Sequence, residues 1–415
     1  MMAKLQPVRG THDLLPADAR RHQHIIAVFR DIAERYNFGQ IETPIFEFTD
    51  VFDRSLGETT DVVTKEMYTF IDRSGDSLTL RPEQTAGIAR AFISNGLAQN
   101  LPLKFYSHGP MFRHERPQKG RQRQFHQLDV EILGVAEPQA DIEVIALGSH
   151  LMESLGLTDK VMLELNTLGD TDSRKAYRDV LVEYFSDHKA DLSEEAQDRL
   201  GRNPLRILDS KDKNDRAVVA GAPAMSAYLN AASTDFFASV VDGLDALGIA
   251  YQRNEQLVRG FDYYTHTAFE FTTELLGAQS AVLAGGRYDG LIESMGGQPT
   301  PGIGWGSGIE RLAMLLEFVP EADRPVVIVP IGDAAAKQGL LLLQELRHAG
   351  VTADMGAKGN VGKRMKQANK ANANYAILLG DDEIAGGVVT LRDLDGGEQT
   401  EVARDVIVSQ LSNRA

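Results

Sequence analysis

The 415-residue chain contains no cysteine. Disulfides, thiolate nucleophiles, iron–sulfur clusters and cysteine-ligated zinc are excluded together, and a reducing compartment is the expected setting. Long apolar runs are missing too: stretches such as Val326–Val329 fall far short of a membrane span. The first residues, Met1 to Pro16, lack the apolar segment of a secretory signal, so a cytoplasmic protein without a membrane partner is expected. Positive charge is scarce, with 43 Lys and Arg against 59 Asp and Glu and a net charge of −16. Bulk attraction to a polyanion is unfavourable under that balance, and nucleic acid would have to be met by local basic islands. What remains, 43% hydrophobic and 25% charged residues, is the composition of ordinary globular domains. The length calls for two or three of them.

Two basic islands exist. Between His108 and Leu128 stand Arg113, Arg116, Lys119, Arg121 and Arg123 against the single acid Glu115. Between Lys358 and Lys370 stand Lys358, Lys363, Arg364, Lys366 and Lys370 with no acid. On composition alone the second reads as the solvated face of a helix.

Ala17–Arg35 carries Ile25, Ile26, Val28, Phe29, Ile32 and Ala33 at helical spacing, and Pro44 ahead of a short apolar stretch implies an edge or a bend. Lys104–Phe112 and Phe125–Leu133 read as strands joined by a polar, glycine-containing connection, a hairpin with an arginine-rich tip. From about Gly169 to Ala250 the pattern turns helical and polar, with breakers at Gly201, Pro204 and Pro223, and reads as an insertion. Strand-like sequence returns at Leu257–Phe271 and Ser280–Ala284, and the glycine series Gly302, Gly304, Gly306 and Gly308 is expected to open a helix at Ile309–Phe318. Pro320 and Pro325 mark a boundary near residue 322. Beyond it strands and helices alternate, which predicts a small α/β domain with a mixed sheet. That domain is nearly neutral, with 11 basic and 12 acidic residues from 323 to 415.

Neither common phosphate loop fits. Gly356–Arg364 approximates a P-loop, but its glycine spacing is one residue too long and Arg364 replaces the Ser or Thr that would meet magnesium. Gly302–Gly308 spaces its glycines by two, unlike a dinucleotide fingerprint. Arginines then become the phosphate-binding candidates, because a guanidinium grips phosphate bidentately at any working pH. Arg113, Arg259 and Arg311 stand at strand ends or a helix start, although each singly is compatible with a surface salt bridge. In the strand Phe125–Leu133, period-2 geometry puts Gln127, Asp129 and Glu131 on one face and His126, Leu128, Val130 and Ile132 on the other. If the polar face lines a pocket, its carboxylates suit an amino group or a ring N–H, and Phe125 could stack on a base.

These residues carry a resemblance. Arg9-Gly10-Thr11-His12-Asp13-Leu14-Leu15-Pro16, the stretch around Pro44, and Leu80-Arg81-Pro82-Glu83-Gln84-Thr85-Ala86 come first. Phe112-Arg113-His114-Glu115-Arg116 through Phe125-His126-Gln127 follows, then Leu257-Val258-Arg259-Gly260-Phe261-Asp262-Tyr263-Tyr264, Ala284-Gly285-Gly286-Arg287-Tyr288-Asp289-Gly290-Leu291, and Gly304–Arg311. In that order they resemble the motifs of class II aminoacyl-tRNA synthetases of the histidine-specific kind, along essentially the whole chain. One departure is Gln84, where many members carry glycine.

The resemblance implies an α+β fold: an antiparallel six-stranded catalytic sheet flanked by helices, with a helical insertion and a C-terminal α/β anticodon-binding domain. It implies a catalytic domain over 1–322 holding an insertion over 170–250, an anticodon-binding domain over 323–415, and a homodimer built through the segment around Pro44. The implied reaction activates L-histidine with ATP and Mg²⁺ to histidyl-adenylate, then transfers histidine to the terminal ribose of tRNA(His), with no tightly bound cofactor and no protein-held metal. Arg113 would clamp the α-phosphate, Arg259 would be the second cation there, and Arg311 would bind the triphosphate or cover the adenine. ATP would also meet Glu115 and Phe125. Histidine would be held by Glu83, Thr85 and Gln127 at its amino group and by Glu131, Tyr263 and Tyr264 around its ring. Arg116, Lys119, Arg121 and Arg123 would meet the tRNA acceptor end, and Lys363, Arg364 and Lys366 would meet RNA in the C-terminal domain. The nearest rival is a histidine sensor, the regulatory subunit of ATP phosphoribosyltransferase, which usually lacks the C-terminal domain; a third reading is an RNA-binding accessory module without chemistry.

Overall fold

A computed structural model describes residues 4–56, 60, 62–259, 263–277, 281–318, 320–356 and 358–413. Gly260, Phe261 and Asp262 of the Leu257–Tyr264 signature, Ser280 and Ala357 lie outside the described residues. The chain divides into two units, Met1–Pro320 and Glu321–Ala415. Among the described residues no helix is long and apolar enough to cross a membrane.

The first unit opens with α1 (Pro16–Arg35), whose buried stripe of Ile25, Phe29, Ile32 and Ala33 follows the 3.6-residue period. Next come β1 (Gly39–Gln40), β2 (Phe46–Phe48), α2 (Thr49–Leu56), β3 (Tyr68–Ile71), β4 (Ser77–Leu80) and α3 (Thr85–Ser94). The arginine-tipped hairpin is β5 (Leu103–Phe112) and β6 (Gln124–Leu133), followed by α4 (Pro138–Ser154) and β7 (Met162–Thr167). The helical span holds α5 (Thr171–Asp187), α6 (Glu194–Arg202), α7 (Lys213–Val219) and α8 (Ala231–Ala246). Then β8 (Gln252–Arg253), β9 (Thr265–Thr272), β10 (Ala281–Arg287), α9 (Leu291–Ser294), β11 (Gly302–Gly308) and α10 (Ile309–Leu315) complete the unit.

The main sheet runs β1-β5-β6-β11-β10-β9-β7-β8. Its six central strands pair antiparallel throughout, and a two-residue strand adds in parallel at each edge. Helices α1 and α4 cover one face, where Leu128, Val130 and Ile132 of β6 join Ile303 and Trp305 of β11 in the core. The other face carries the polar residues of β6 beside an apolar cluster in which Leu133 packs with Ile88 and Phe92 of α3. A smaller sheet, β2-β4-β3, lies apart from it.

Three expectations are corrected. The glycine series is itself a strand, β11, because Ile303 and Trp305 alternate with the glycines and give it a buried apolar face; the helix it leads into starts at Ile309 as expected and ends at Leu315 rather than Phe318. Leu257–Phe271 is not one strand. β9 starts at Thr265, while Leu257 and Val258 approach it without strand structure, Val258 packing into the helical cluster. Within the helical span, α5 to α7 build their own core around Tyr177, Leu181, Phe185 and Leu200. Helix α8 instead sends Phe237, Val240 and Leu244 into the main core, which its amphipathic stripe allows and the polar average of the span concealed.

The second unit holds β12 (Val326–Pro330), α11 (Asp333–His348), β13 (Ala353–Met355), α12 (Val361–Lys370), β14 (Tyr375–Leu379), α13 (Asp381–Gly386), β15 (Val388–Asp393), β16 (Gln399–Ala403) and α14 (Ile407–Ser412). Its mixed sheet runs β13-β12-β14-β15-β16, parallel for the first three strands and antiparallel after. Leu342 and Leu346 of α11 and Ile407 and Leu411 of α14 share one cluster, while Ala368 of α12 packs with Val327 and Val329. The short α13 and β16 escape the sequence pattern, since β16 is exposed along most of its length and shows no apolar alternation.

Candidate active site

The site is built on the open face of the sheet. Gly302, Gly304, Gly306 and Gly308 are spaced by the strand period, so β11 turns a bare face toward the groove while Ile303 and Trp305 point into the core. In register, Gly304 lies opposite Glu131, Gly306 opposite Asp129 and Gly308 opposite Gln127. The polar side chains of β6 lean over this floor. A Cβ on Gly304 would sit 1.8 Å from Glu131 Oε2, and one on Gly306 would sit 2.7 Å from Gln127 Nε2 and 3.0 Å from Asp129 Oδ1. Gly286 of β10 faces the same groove, closed against the Tyr264 ring.

Glu131 is 1% exposed and is bracketed by two hydroxyls. Thr85 Oγ1 donates to its Oε1 at 2.6 Å, and the Tyr288 hydroxyl donates to its Oε2. Glu83 accepts from the amides of Thr85 and Ala86 at 2.9 and 2.7 Å, so one carboxylate satisfies two orphan donors at the start of α3. Each carboxylate oxygen can accept a further hydrogen bond. Burial raises the proton affinity of all three carboxyls, Asp129 well above its ordinary value and Glu131 to about 8. Burial likewise keeps the Tyr263, Tyr264 and Tyr288 hydroxyls protonated and therefore able to donate. Gln127 Oε1, Asp129 Oδ2 and Arg259 Nε are buried without a hydrogen-bond partner among the described residues. Buried polar groups left so are costly, and a polar ligand in the groove would satisfy them.

The three arginines are linked through their neighbours. Arg113 Nε donates to the Pro82 carbonyl at 2.8 Å, and its guanidinium lies 5.3 Å from the Phe125 ring centre. Arg259 pairs with Glu270 of β9 and covers the Tyr264 ring at 5.2 Å. Arg311 donates to the Gly120 and Ala281 carbonyls at 3.1 and 2.5 Å. Burial, then the nearby Arg121 and Arg113 charges, lower its proton affinity, and Glu115, followed by Glu270, opposes them. Arg311 thus senses both Arg113 and the carboxylate that holds Arg259.

The basic islands divide by exposure. In the first, Arg121 is bound at 2.6 Å by the buried Glu115, and Arg123 Nε donates to the Glu115 carbonyl at 3.1 Å, whereas Arg116 and Lys119 are exposed. In the second, Lys363, Lys366 and Lys370 lie exposed along α12, which Asn360 caps by accepting from the Lys363 amide at 3.0 Å. Arg364 stands apart from them, half-buried and donating to the Pro330 carbonyl.

Residues 10–312 match the family described as Histidyl-tRNA synthetase, and residues 325–414 match that described as Anticodon binding domain. The chain belongs to the histidyl-tRNA synthetase family. It is 60% identical to the Histidine--tRNA ligase of Rhodospirillum rubrum across 98% of both chains, and 54% identical to that of Gluconacetobacter diazotrophicus across 100% of both. It superposes on apo S. aureus histidyl-tRNA synthetase with a TM-score of 0.84, at 35% identity, covering 99% of this chain and 100% of that one. An ATP phosphoribosyltransferase regulatory subunit/histidyl-tRNA synthetase from Bacillus halodurans shares the fold at a TM-score of 0.66 and 21% identity, covering 92% of this chain and 99% of that one.

In this member of the synthetase family several residues of the site are not marked by the sequence pattern. Tyr288, rather than Tyr264, shares Glu131 with Thr85. It is held by its neighbours: Arg287, fully buried, pairs with Asp141 of α4 and donates to Asp289 Oδ1 at 3.0 Å, which in turn accepts from the Gly302 amide at 3.3 Å. Strand alternation sends Arg287 to the core side and leaves the next ring over Gly302. Arg81, 5% exposed, donates to the Pro110 and Thr43 carbonyls at 2.9 and 3.0 Å, and Gln84, 1% exposed, donates to Thr43 and Ser107 at 3.1 and 3.0 Å. The departing Gln84 therefore braces the start of α3 from below. The signal that could have revealed the floor is the i, i+2 glycine spacing itself, read as a strand period.

Proposed function

We propose that the chain is a histidine–tRNA ligase, joining L-histidine to ATP as histidyl-adenylate with release of pyrophosphate and then passing histidine to the 3′-terminal ribose of tRNA(His). The observation that carries this reading is the buried Glu131 carboxyl, bracketed by two hydroxyls over the bare Gly304. A neutral imidazole offers one N–H and one bare nitrogen, and this acceptor with its neighbouring tyrosyl donors matches both. A ring analogue without those groups would leave the pocket's own polar atoms unpaired, which can lower its use by several orders of magnitude.

The first step is an in-line attack of the histidine carboxylate on the α-phosphorus, two anions whose charge gathers on the phosphate oxygens. Fixed cations and positioning are the main need. Arg113 and Arg259 are assigned to the α-phosphate and carboxylate, Arg311 to the nucleotide, Phe125 to the base and Glu115 to the ATP end, where it also orders Arg121. Mg²⁺ enters with ATP as its counter-ion. Glu83, Thr85 and Gln127 take the α-ammonium, and Glu131 with Tyr263 and Tyr264 surrounds the ring. The exposed Arg116 and Lys119, with Arg121 and Arg123 behind them, are assigned to the tRNA acceptor end, and Lys363 and Lys366 to RNA phosphates.

Histidine-dependent exchange of labelled pyrophosphate into ATP tests the reading. Exchange with histidine and with none of the other amino acids is expected, and Arg259→His should abolish it while sparing histidine binding. A protein that binds histidine without exchange would instead be a sensor of the regulatory-subunit type.

A homodimer is the assembly we assign. In β2-β4-β3, Phe46, Phe48 and Phe70 lie on one sheet face and are 54%, 59% and 44% exposed, while Glu47 on the opposite face pairs with Arg90 of α3. An apolar aromatic face left to water marks an interaction surface, and its place in the segment around Pro44 makes a second copy the occupant. Sedimentation should give a dimer for the parent chain and a monomer for Phe48→Asp.

A further inference from the structure

We propose that His22, His126 and Glu310 form a binding site for a divalent transition-metal ion of the zinc class, on the side of β6 opposite the substrate groove. The three residues come from α1, β6 and α10, elements held by separate packing in the main core. Each offers one ligand atom, and these atoms lie within 4.8 Å of one another. His126 Nδ1 is 2.8 Å from Glu310 Oε1, and the edge of one imidazole meets the face of the other with the His22 and His126 ring centres 5.5 Å apart.

Two imidazoles and a carboxylate are the donor set of open zinc sites, which leave a fourth position to water or another ligand. Bonds of 2.0–2.1 Å at tetrahedral angles separate ligand atoms by roughly 3.3 Å. The His126–Glu310 pair, at 2.8 Å, would open by about 0.5 Å to reach that spacing, and His22 would close in by a side-chain rotation on the order of 1–2 Å. The Glu310 carboxylate is also oriented by the His126 amide, which donates to both its oxygens at 3.0 Å, the kind of outer support that aims metal ligands. A purely structural hydrogen bond accounts for His126 and Glu310 but leaves His22 unexplained. Its ring is buried against a second imidazole and makes no hydrogen bond among the described residues. Occupancy would tie α1 and the first turn of α10 to the strand that carries Gln127 and Glu131.

The test uses the full chain, stripped with a chelator and freed of histidine, which itself binds zinc. Zinc chloride is titrated against a chromophoric zinc indicator. One equivalent should bind in the micromolar range or tighter, and His22→Gln, close to isosteric, should weaken it by at least about tenfold, the loss that even an outer partner of a metal site produces. His22→Cys should recover the affinity by restoring a ligand, and His348→Gln, at an exposed position, should leave it unchanged. Zinc should raise the Tm of the parent chain but not that of His22→Gln. Pyrophosphate exchange without zinc should persist in His22→Gln, which separates loss of the site from loss of the fold. The proposal is overturned if the parent chain binds no stoichiometric zinc, or if a folded His22→Gln binds it equally well.

Discussion

Glycines recur at Gly302, Gly304, Gly306 and Gly308 in the first unit and at Gly356, Gly359 and Gly362 in the second, and the two series are needed for different reasons. In β11 the backbone is ordinary extended strand, and at Gly302, Gly304 and Gly306 the side chain is what cannot be present, whereas a Cβ on Gly308 would meet nothing closer than Arg311 Cγ at 3.8 Å. A Cβ on Gly304 would lie 1.8 Å from Glu131 Oε2 and 2.2 Å from the Val130 carbonyl. In the second unit the demands are local and uneven. Gly359 adopts a φ of +102°, a conformation that other residues resist, whereas a Cβ on Gly362 would meet nothing closer than Asn360 Oδ1 at 3.7 Å. One sequence feature therefore supports a binding floor in one place and a turn leading into a helix in the other.

The largest effect should come from Gly304→Ala. The clash includes backbone that cannot rotate away, so histidine binding measured by calorimetry should be lost and stability should fall by about 1–3 kcal/mol, the usual cost of overpacking. Gly306→Ala meets the flexible end of Gln127, and should keep the fold while weakening histidine. Parent-like binding in both would end the view of β11 as a pocket floor.

The next effect concerns the carboxyl that Gly304 makes room for. A carboxyl raised from 4.5 to about 8 favours the fold in its protonated form. Its contribution is complete below the ordinary value and is lost as pH rises through about 8. The Tm of the ligand-free chain should therefore decline from mildly acid to mildly alkaline pH, and Glu131→Gln should flatten the slope. Asp129, raised by the same burial, shares this sign and should leave a residual slope. An identical pH profile in parent and Glu131→Gln would remove Glu131 as the source. In the second unit, Gly359→Ala should cost about 1–2 kcal/mol through backbone strain. Gly362→Ala should gain up to about 1 kcal/mol through helix propensity in α12. Equal responses to denaturant at the two positions would erase the distinction drawn within that series.

The polar row of β6 was readable before any fold was known because alternation along a strand is local: Gln127, Asp129 and Glu131 had to share a face. The stripe of α1 and the strand–helix alternation after residue 322 were readable for the same reason. The Leu257–Phe271 segment misled because aromatic and β-branched residues favour strands wherever they bury, and Leu257 and Val258 bury without joining the sheet. The bracket on Glu131 was hidden because its donors, Thr85 and Tyr288, lie 46 and 157 residues away in the chain. The pairing of Arg287 with Asp141 was out of reach likewise, since nothing near either residue names the other.

From the sequence alone came the periodic facts: which side chains share a face, where helices carry stripes, and which guanidinium groups stand ready for phosphate. Those depend on neighbours a few positions away and on backbone geometry common to all chains. The tertiary structure alone decided that β11 lies beside β6 with its glycines under the carboxyls, that Tyr288 reaches Glu131, and that Arg311 comes within the field of Arg113 and Glu270. Such contacts follow from strand register across the sheet, and a one-residue slip would turn every one of these side chains to the opposite face.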